Sequence, residues 1–243
     1  MMRLRLVIAY DGRPFRGWQS QAGGGAVQDH LERAFAELCG KRVVVHGAGR
    51  TDAGVHALGQ CAHADVEREG EIDWPGALNA NLPREIRVLR CRRARGDFHA
   101  RYSARGKVYM YRIWNAAVLS PFELGRAWHL PGVLDVEAMR EAARVFEGSH
   151  DFKGFAANRG KPEENTVRTI RDVTVGRKGR VVTLRFEGDG FLYKMVRMMT
   201  GSLVKIGQGR APVDSVASYL EGAAGKCAFA APAEGLYLAR VIY

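Results

Sequence analysis

VVVHGAGRTDAGVHALGQCAHADV, residues Val43 to Val66, reads as strand, loop, strand. An apolar run at Val43–Val45 precedes the loop. After it, Cys61, His63 and Asp65 alternate with Gln60, Ala62 and Ala64, the period of two expected of a strand. The loop itself, Gly47 to Ala57, has three glycines in eleven positions. Glycine opens backbone angles closed to other residues and lets a ligand or a second chain segment come close. Among them stand Arg50, Thr51, Asp52 and His56. Composition alone leaves two readings open: Asp52 caps a surface turn with Arg50 paired beside it, or the loop is a reactive site.

Working outward, Arg3–Ala9 alternates basic and apolar residues as a half-buried strand does, and YDGRPFRGWQSQ (Tyr10–Gln21) follows as a loop whose Trp18 is expected in the core. Val27, Leu31, Ala34, Phe35 and Leu38 have the spacing of an amphipathic helix that Gly40 ends. A strand at Arg42–Val45, the loop, a strand at Leu58–Val66, a short helix at Trp74–Asn81 and a strand at Ile86–Arg92 complete the order strand, helix, strand, strand, helix, strand. That order is ferredoxin-like.

The second half repeats the order without repeating the sequence. A strand is predicted at Lys107–Trp114 and a helix at Asp135–Phe146, with Asp135 as N-cap. Ile170–Val175 and Arg180–Glu187 flank the turn signal GRKG as a hairpin. Buried and further helices follow at Phe191–Ile206 and Val213–Leu220, then a last strand at Leu236–Ile242. The expectation is an α+β chain of two ferredoxin-like halves, 1–100 and 101–243. They share a mostly antiparallel mixed sheet with helices on one face and a cleft between them.

An apolar fraction of 47% and a charged fraction of 26% are ordinary for a globular protein, but the net charge of +11 and pI near 9.8 are not. Such an excess favours an anionic partner, nucleic acid first. With no apolar run of about 18 residues, no basic amphipathic helix and no signal-like N-terminus, the expected setting is cytoplasmic, away from membranes. The four cysteines are far apart and form no metal-ligand pair. Arg84 to Arg112 holds ten Lys or Arg against Glu85 and Asp97, which is +8 of the net +11. Arginine forks suit phosphate, and His99, Tyr102, Tyr109 and Tyr111 interleave with them as base stacking requires.

Asp52 is the candidate nucleophile or base. A carboxylate that stays ionised in a pocket needs a cation, and Arg50 and Arg197 are candidates. Arg197 lies in FLYKMVRMMTG among Met195, Val196, Met198 and Met199, where an unpaired charge is unfavourable. Asp52, His56, His63 and Asp65 do not match metal-ligand spacings, so no metal is expected. An RNA-binding module without chemistry is the competing reading, but the chain lacks the aromatic signatures of tandem RNA-recognition domains.

GRTDAGVHALGQ (Gly49–Gln60) resembles the catalytic motif of the A-type tRNA pseudouridine synthases, the TruA family. The resemblance runs nearly the full chain, through YDGRPFRGWQSQ, NANLP (Asn79–Pro83), FHARYSARGKVYMYRIWN (Phe98–Asn115), TVRTI (Thr166–Ile170), FLYKMVRMMTGSL (Phe191–Leu203) and GLYLARVIY at the end. It implies isomerisation of uridine to pseudouridine at nucleotides 38 to 40 of the tRNA anticodon stem-loop, without metal or organic cofactor, by a homodimer that binds tRNA across both subunits. By motif it implies Asp52 as nucleophile, Arg50 as a residue that helps displace the target base, Tyr109 as the ring packed on that base, and Arg197 as the partner of the aspartate. Arg101, Arg105 and Lys107 are the expected tRNA contacts. Lys153–Asn165 matches nothing in the family pattern.

Overall fold

The computed structural model describes residues 1–67, 72–158, 160 and 164–243. The chain divides into two compact units, Met1–Arg105 with Tyr237–Tyr243, and Gly106–Leu236. The sequence expectation put the last strand with the second half; the contacts group it with the first. The fold is α+β, as the pattern predicts.

In unit 1 the elements are β1 (Met2–Tyr10), α1 (Val27–Cys39), β2 (Val45–Gly47), β3 (His56–Val66), α2 (Trp74–Asn81) and β4 (Ile86–Arg93). β1 lies between β3 and β4, antiparallel to both, and β2 pairs antiparallel with the far end of β3. The order β4-β1-β3-β2 is that of a ferredoxin-like sheet. Every second residue of β1 from Leu4 to Tyr10 is buried, which fixes the register, since a one-residue slip would put that set in water. In α1, Val27, Leu31, Ala34 and Phe35 are buried. Leu31 and Phe35 are wholly so, and such side chains contribute about 1.5–3 kcal/mol each. Asp29 Oδ2 accepts the Ala26 N–H at 2.9 Å at one end of this helix, and Gly40 closes the other in the left-handed conformation. The predicted strand at Arg42–Val45 is displaced: Val43 is buried but the ladder begins at Val45.

Unit 2 contains β5 (Gly106–Trp114), β6 (Trp128–His129), α3 (Val136–Arg144), β7 (Gly148–Asp151), β8 (Val167–Lys178), β9 (Val181–Gly188), α4 (Met195–Gly207) and α5 (Ser215–Leu220). Its strands run β5-β9-β8-β7, all antiparallel, with the two-residue β6 parallel on β5. The Asp135 carboxylate caps α3 by accepting from Ala138 N–H at 3.0 Å. α4 starts later than the apolar pattern predicts because Lys194 adopts φ 57°, outside the helical region. Eleven of its 13 residues are buried, so it is a core helix. β10 (Leu236–Ile242) ends the chain and pairs parallel with the start of β3, Tyr237 opposite His56.

Candidate active site

The Asp52 loop connects β2 to β3 and is held at both ends by the loop that follows β1. Antiparallel pairing sets Tyr10, the last residue of β1, opposite Ala57 near the start of β3. The segment after Tyr10 and the segment before Ala57 therefore meet at the same end of the sheet. Trp18 N–H donates to the Thr51 carbonyl at 3.0 Å. Gly17, at φ +85°, comes so close that a Cβ there would lie 2.5 Å from that carbonyl oxygen. Trp18 is buried and lies over Gly47, where a Cβ would fall 2.4 Å from the indole. Only glycine fits beneath it.

Two side chains from the flanking strands, Tyr10 and Gln60, hold the loop. The Tyr10 hydroxyl lies 2.8 Å from Thr51 Oγ1, and Gln60 Nε2 donates to the Gly49 carbonyl at 2.7 Å. Tyr10, Thr51 and Gln60 are all buried. Arg50, more exposed, donates from Nε to Gln19 Oε1 at 3.1 Å. The Asp52 carbonyl accepts from Val55 N–H at 3.1 Å, which makes residues 52–55 a tight turn. Asp52 itself is half-buried on that turn.

Downstream, His56 is locked by Asp11 and Gly12. Its Nδ1 lies 3.1 Å from Gly12 N–H and 3.3 Å from Asp11 Oδ1, and its ring stacks on Tyr237 of β10 at 4.6 Å. Neutral imidazole with an open Nδ1 accepts from Gly12; imidazolium would instead turn an Nδ1–H on Asp11. Burial works to raise the Asp11 carboxyl, but the Arg13 side chain and backbone N–H, with His56 nearby, outweigh it and hold the group at about 2.

The basic stretch divides by environment. Arg90, Arg92, Arg93, Arg95, Arg101 and Arg105 are exposed. Arg112 is committed to Glu123 at 2.8 Å, and Arg87 donates to the carbonyls of Pro83 and Ile86. Of the interleaved aromatic residues, Tyr102 is 76% exposed and packs on His99 at 4.4 Å between centroids. The backbone of this segment is fastened at Ala100, whose N–H goes to His63 Nδ1 at 3.1 Å and whose carbonyl accepts from Tyr243 OH at 2.7 Å. The Arg5 guanidinium sits 4.1 Å from the Tyr243 ring centroid and 5.2 Å from that of Phe98. His63 also stacks on His46 and meets His99, and burial together with these neighbours pushes it down to about 4. Asp65, weighed as a metal ligand, is bound to Arg3 at 2.6 Å.

In unit 2, Tyr109 on β5 is buried, its ring edge-to-face with Phe191 at 5.0 Å. Tyr111 is wholly buried and donates to the Pro232 carbonyl at 2.7 Å, a core role. Half-buried Lys107 is the second residue of the same strand. Arg197, in the first turn of α4, donates from Nε to the Ala231 carbonyl at 2.7 Å, while Ala231 N–H returns to the Arg197 carbonyl at 2.9 Å. Of the Lys153–Asn165 stretch, residues 159 and 161–163 lie outside the described residues.

A family model described as tRNA pseudouridine synthase matches residues 6–103 and 142–243. The chain is 47% identical to a protein of Akkermansia muciniphila named tRNA pseudouridine synthase A, over 100% of this chain and 96% of that one. It is 45% identical to a protein of the same name from Methylacidiphilum infernorum, over 98% and 94%. A third, from Acetivibrio thermocellus, is 42% identical over the full length of both chains. Among solved structures, a chain from a Cbf5-Nop10-Gar1 complex is 10% identical over 82% of this chain and 54% of that chain, with a TM-score of 0.34, too distant to argue from.

Proposed function

The chain belongs to the tRNA pseudouridine synthase family, and from that premise we propose that it isomerises uridine to pseudouridine in the tRNA anticodon stem-loop, at nucleotides 38 to 40, with Asp52 as the nucleophile. The observation that carries the site assignment is the clamped loop: Asp52 sits on a turn whose two flanks are fixed by residues 10–18. A preorganised carboxylate of this kind suits attack on a carbon centre.

The reaction breaks the bond from N1 to the sugar C1′, turns the uracil, and joins C5 to the same C1′; the C5 proton leaves, and N1 ends protonated. Asp52 serves this either by bonding to C1′ or by removing the C2′ proton to give a glycal. A primary isotope effect with 2′-deuterated RNA belongs to the second route alone. A stem nucleotide must leave the stack to be reached, and Tyr109 is read as the ring that receives it. Arg50 is read as assisting that displacement and Arg197 as the cation that keeps Asp52 ionised; both assignments rest on motif. Arg101, Arg105 and Lys107 are read as phosphate contacts. The working form is read as a cytoplasmic homodimer that holds one tRNA across both subunits.

The test is Asp52→Ala on unmodified tRNA. Pseudouridine formation should be abolished while tRNA binding stays within about threefold, because phosphate contacts supply most of the affinity. Turnover at the wild-type rate in this variant would refute the assignment.

A further inference from the structure

Beneath the Asp52 loop lies a polar group that the reaction as described does not use. Gln60 is wholly buried, and its Oε1 has no hydrogen-bond partner among the described residues. Its amide orientation is fixed, because the atom 2.7 Å from the Gly49 carbonyl must be the donor Nε2. Gln60 and Thr51 both act to lower the buried Tyr10 hydroxyl, against the larger upward push of burial. An orphaned Oε1 accompanies the donor turned toward the loop, at a cost that a buried glutamine without a task would avoid.

Burial pushes the Tyr10 phenol well up, so it keeps its proton. Its hydroxyl and Thr51 Oγ1, 2.8 Å apart, share one hydrogen bond, one residue before Asp52 in the sequence.

Resting on the reading of Asp52 as nucleophile, we infer that Tyr10, through its hydrogen bond to Thr51, and Gln60, through its bond to the Gly49 carbonyl, brace the loop so that Asp52 is positioned. The three are positioning residues. The Tyr10 bond fixes the side chain of Thr51 while Trp18 N–H fixes its carbonyl, so the peptide that leads into Asp52 has little freedom left. Losing such a constraint lowers the rate of the chemical step and leaves substrate affinity alone.

The test is steady-state pseudouridine formation on tRNA with Thr51→Val, Thr51→Ser, Tyr10→Phe and the double variant Tyr10→Phe/Thr51→Val. Thr51→Val should lower kcat by about ten- to a hundred-fold, the loss of the buried Tyr10–Thr51 hydrogen bond that braces the loop next to Asp52, with KM and tRNA Kd within about twofold. Thr51→Ser, which keeps the hydroxyl, should stay within about threefold of wild type. Tyr10→Phe should add little in the Thr51→Val background, because the two residues share one hydrogen bond and its loss counts once. The inference is overturned if Thr51→Ser falls with Thr51→Val, if the single effects multiply, or if KM carries the loss. It is also overturned if Thr51→Val turns over at the wild-type rate, an outcome that leaves the enzyme reading intact. Wild-type protein that forms no pseudouridine would overturn that reading instead, with every variant equally silent.

Discussion

Trp18 and Gly47 are in such close contact that no side chain fits between them: a Cβ on the glycine would lie 2.4 Å from the indole ring. Gly47→Ala should therefore destabilise the fold by about 1–3 kcal/mol, the usual cost of overpacking a filled core. Urea unfolding measures it. The cost should shrink in a Trp18→Phe background, where the smaller ring leaves room; equal costs in both backgrounds would show that the clash is not the cause.

His63 gives the protein an acid-labile point. Its ordinary value is near 6.5 and burial among His46, His99 and Arg3 takes it to about 4 in the folded chain. Between those values the unfolded chain binds the proton and the folded chain resists it. Stability is thus full above pH 6.5 and is lost as pH falls toward 4, by about 2–3 kcal/mol. His63→Gln, which keeps an acceptor for Ala100 N–H, should flatten unfolding free energy across that window; an unchanged slope would rule His63 out.

The exposed and committed arginines should behave differently toward tRNA. Removing Arg101 or Arg105 should make the slope of log Kd against log salt shallower by about 0.7–0.9 each, one phosphate contact apiece. Arg112→Ala should leave the slope alone, since Glu123 already holds that guanidinium. Filter-binding titrations from low to moderate salt decide it, and identical slopes in all three would remove the stretch from the tRNA interface.

Arg197→Lys keeps the charge but cannot reproduce the Nε–H bond to the Ala231 carbonyl together with a planar fork. It should lower kcat by about tenfold or more with the fold intact. A wild-type rate would mean that charge alone, or nothing at this position, is required.

Much of the fold was legible because periodicity carries it. The buried face of α1, the Asp135 cap and the β8–β9 hairpin all follow from spacing and turn chemistry. β6 and β7, at two and four residues, are too short for any period to show. The late start of α4 depends on the backbone of Lys194, which an apolar pattern does not encode. At the site, Asp52 stood out by its glycines and its motif. Tyr10, Asp11 and Gln60 did not, because their work depends on which strand ends are brought together. The signal was present in the strand order: once β1 and β3 are read as antiparallel neighbours, YDG must meet GRTDAGV. Arg112 and Tyr111 looked like part of the basic, aromatic track, and only packing shows them occupied elsewhere.

From Tyr237 on, β10 groups with unit 1, although the whole of unit 2, Gly106–Leu236, comes before Tyr237 in the chain. During synthesis the ribosome must therefore deliver all of Gly106–Leu236 before Tyr237 can stack on His56 or Tyr243 can reach Ala100. The Asp52 loop is made well before the segment Tyr237–Tyr243 that packs behind it. A nascent chain cut short anywhere before Tyr237 would carry the motif without the Tyr237 ring on His56 or the Tyr243 bond to Ala100 behind it.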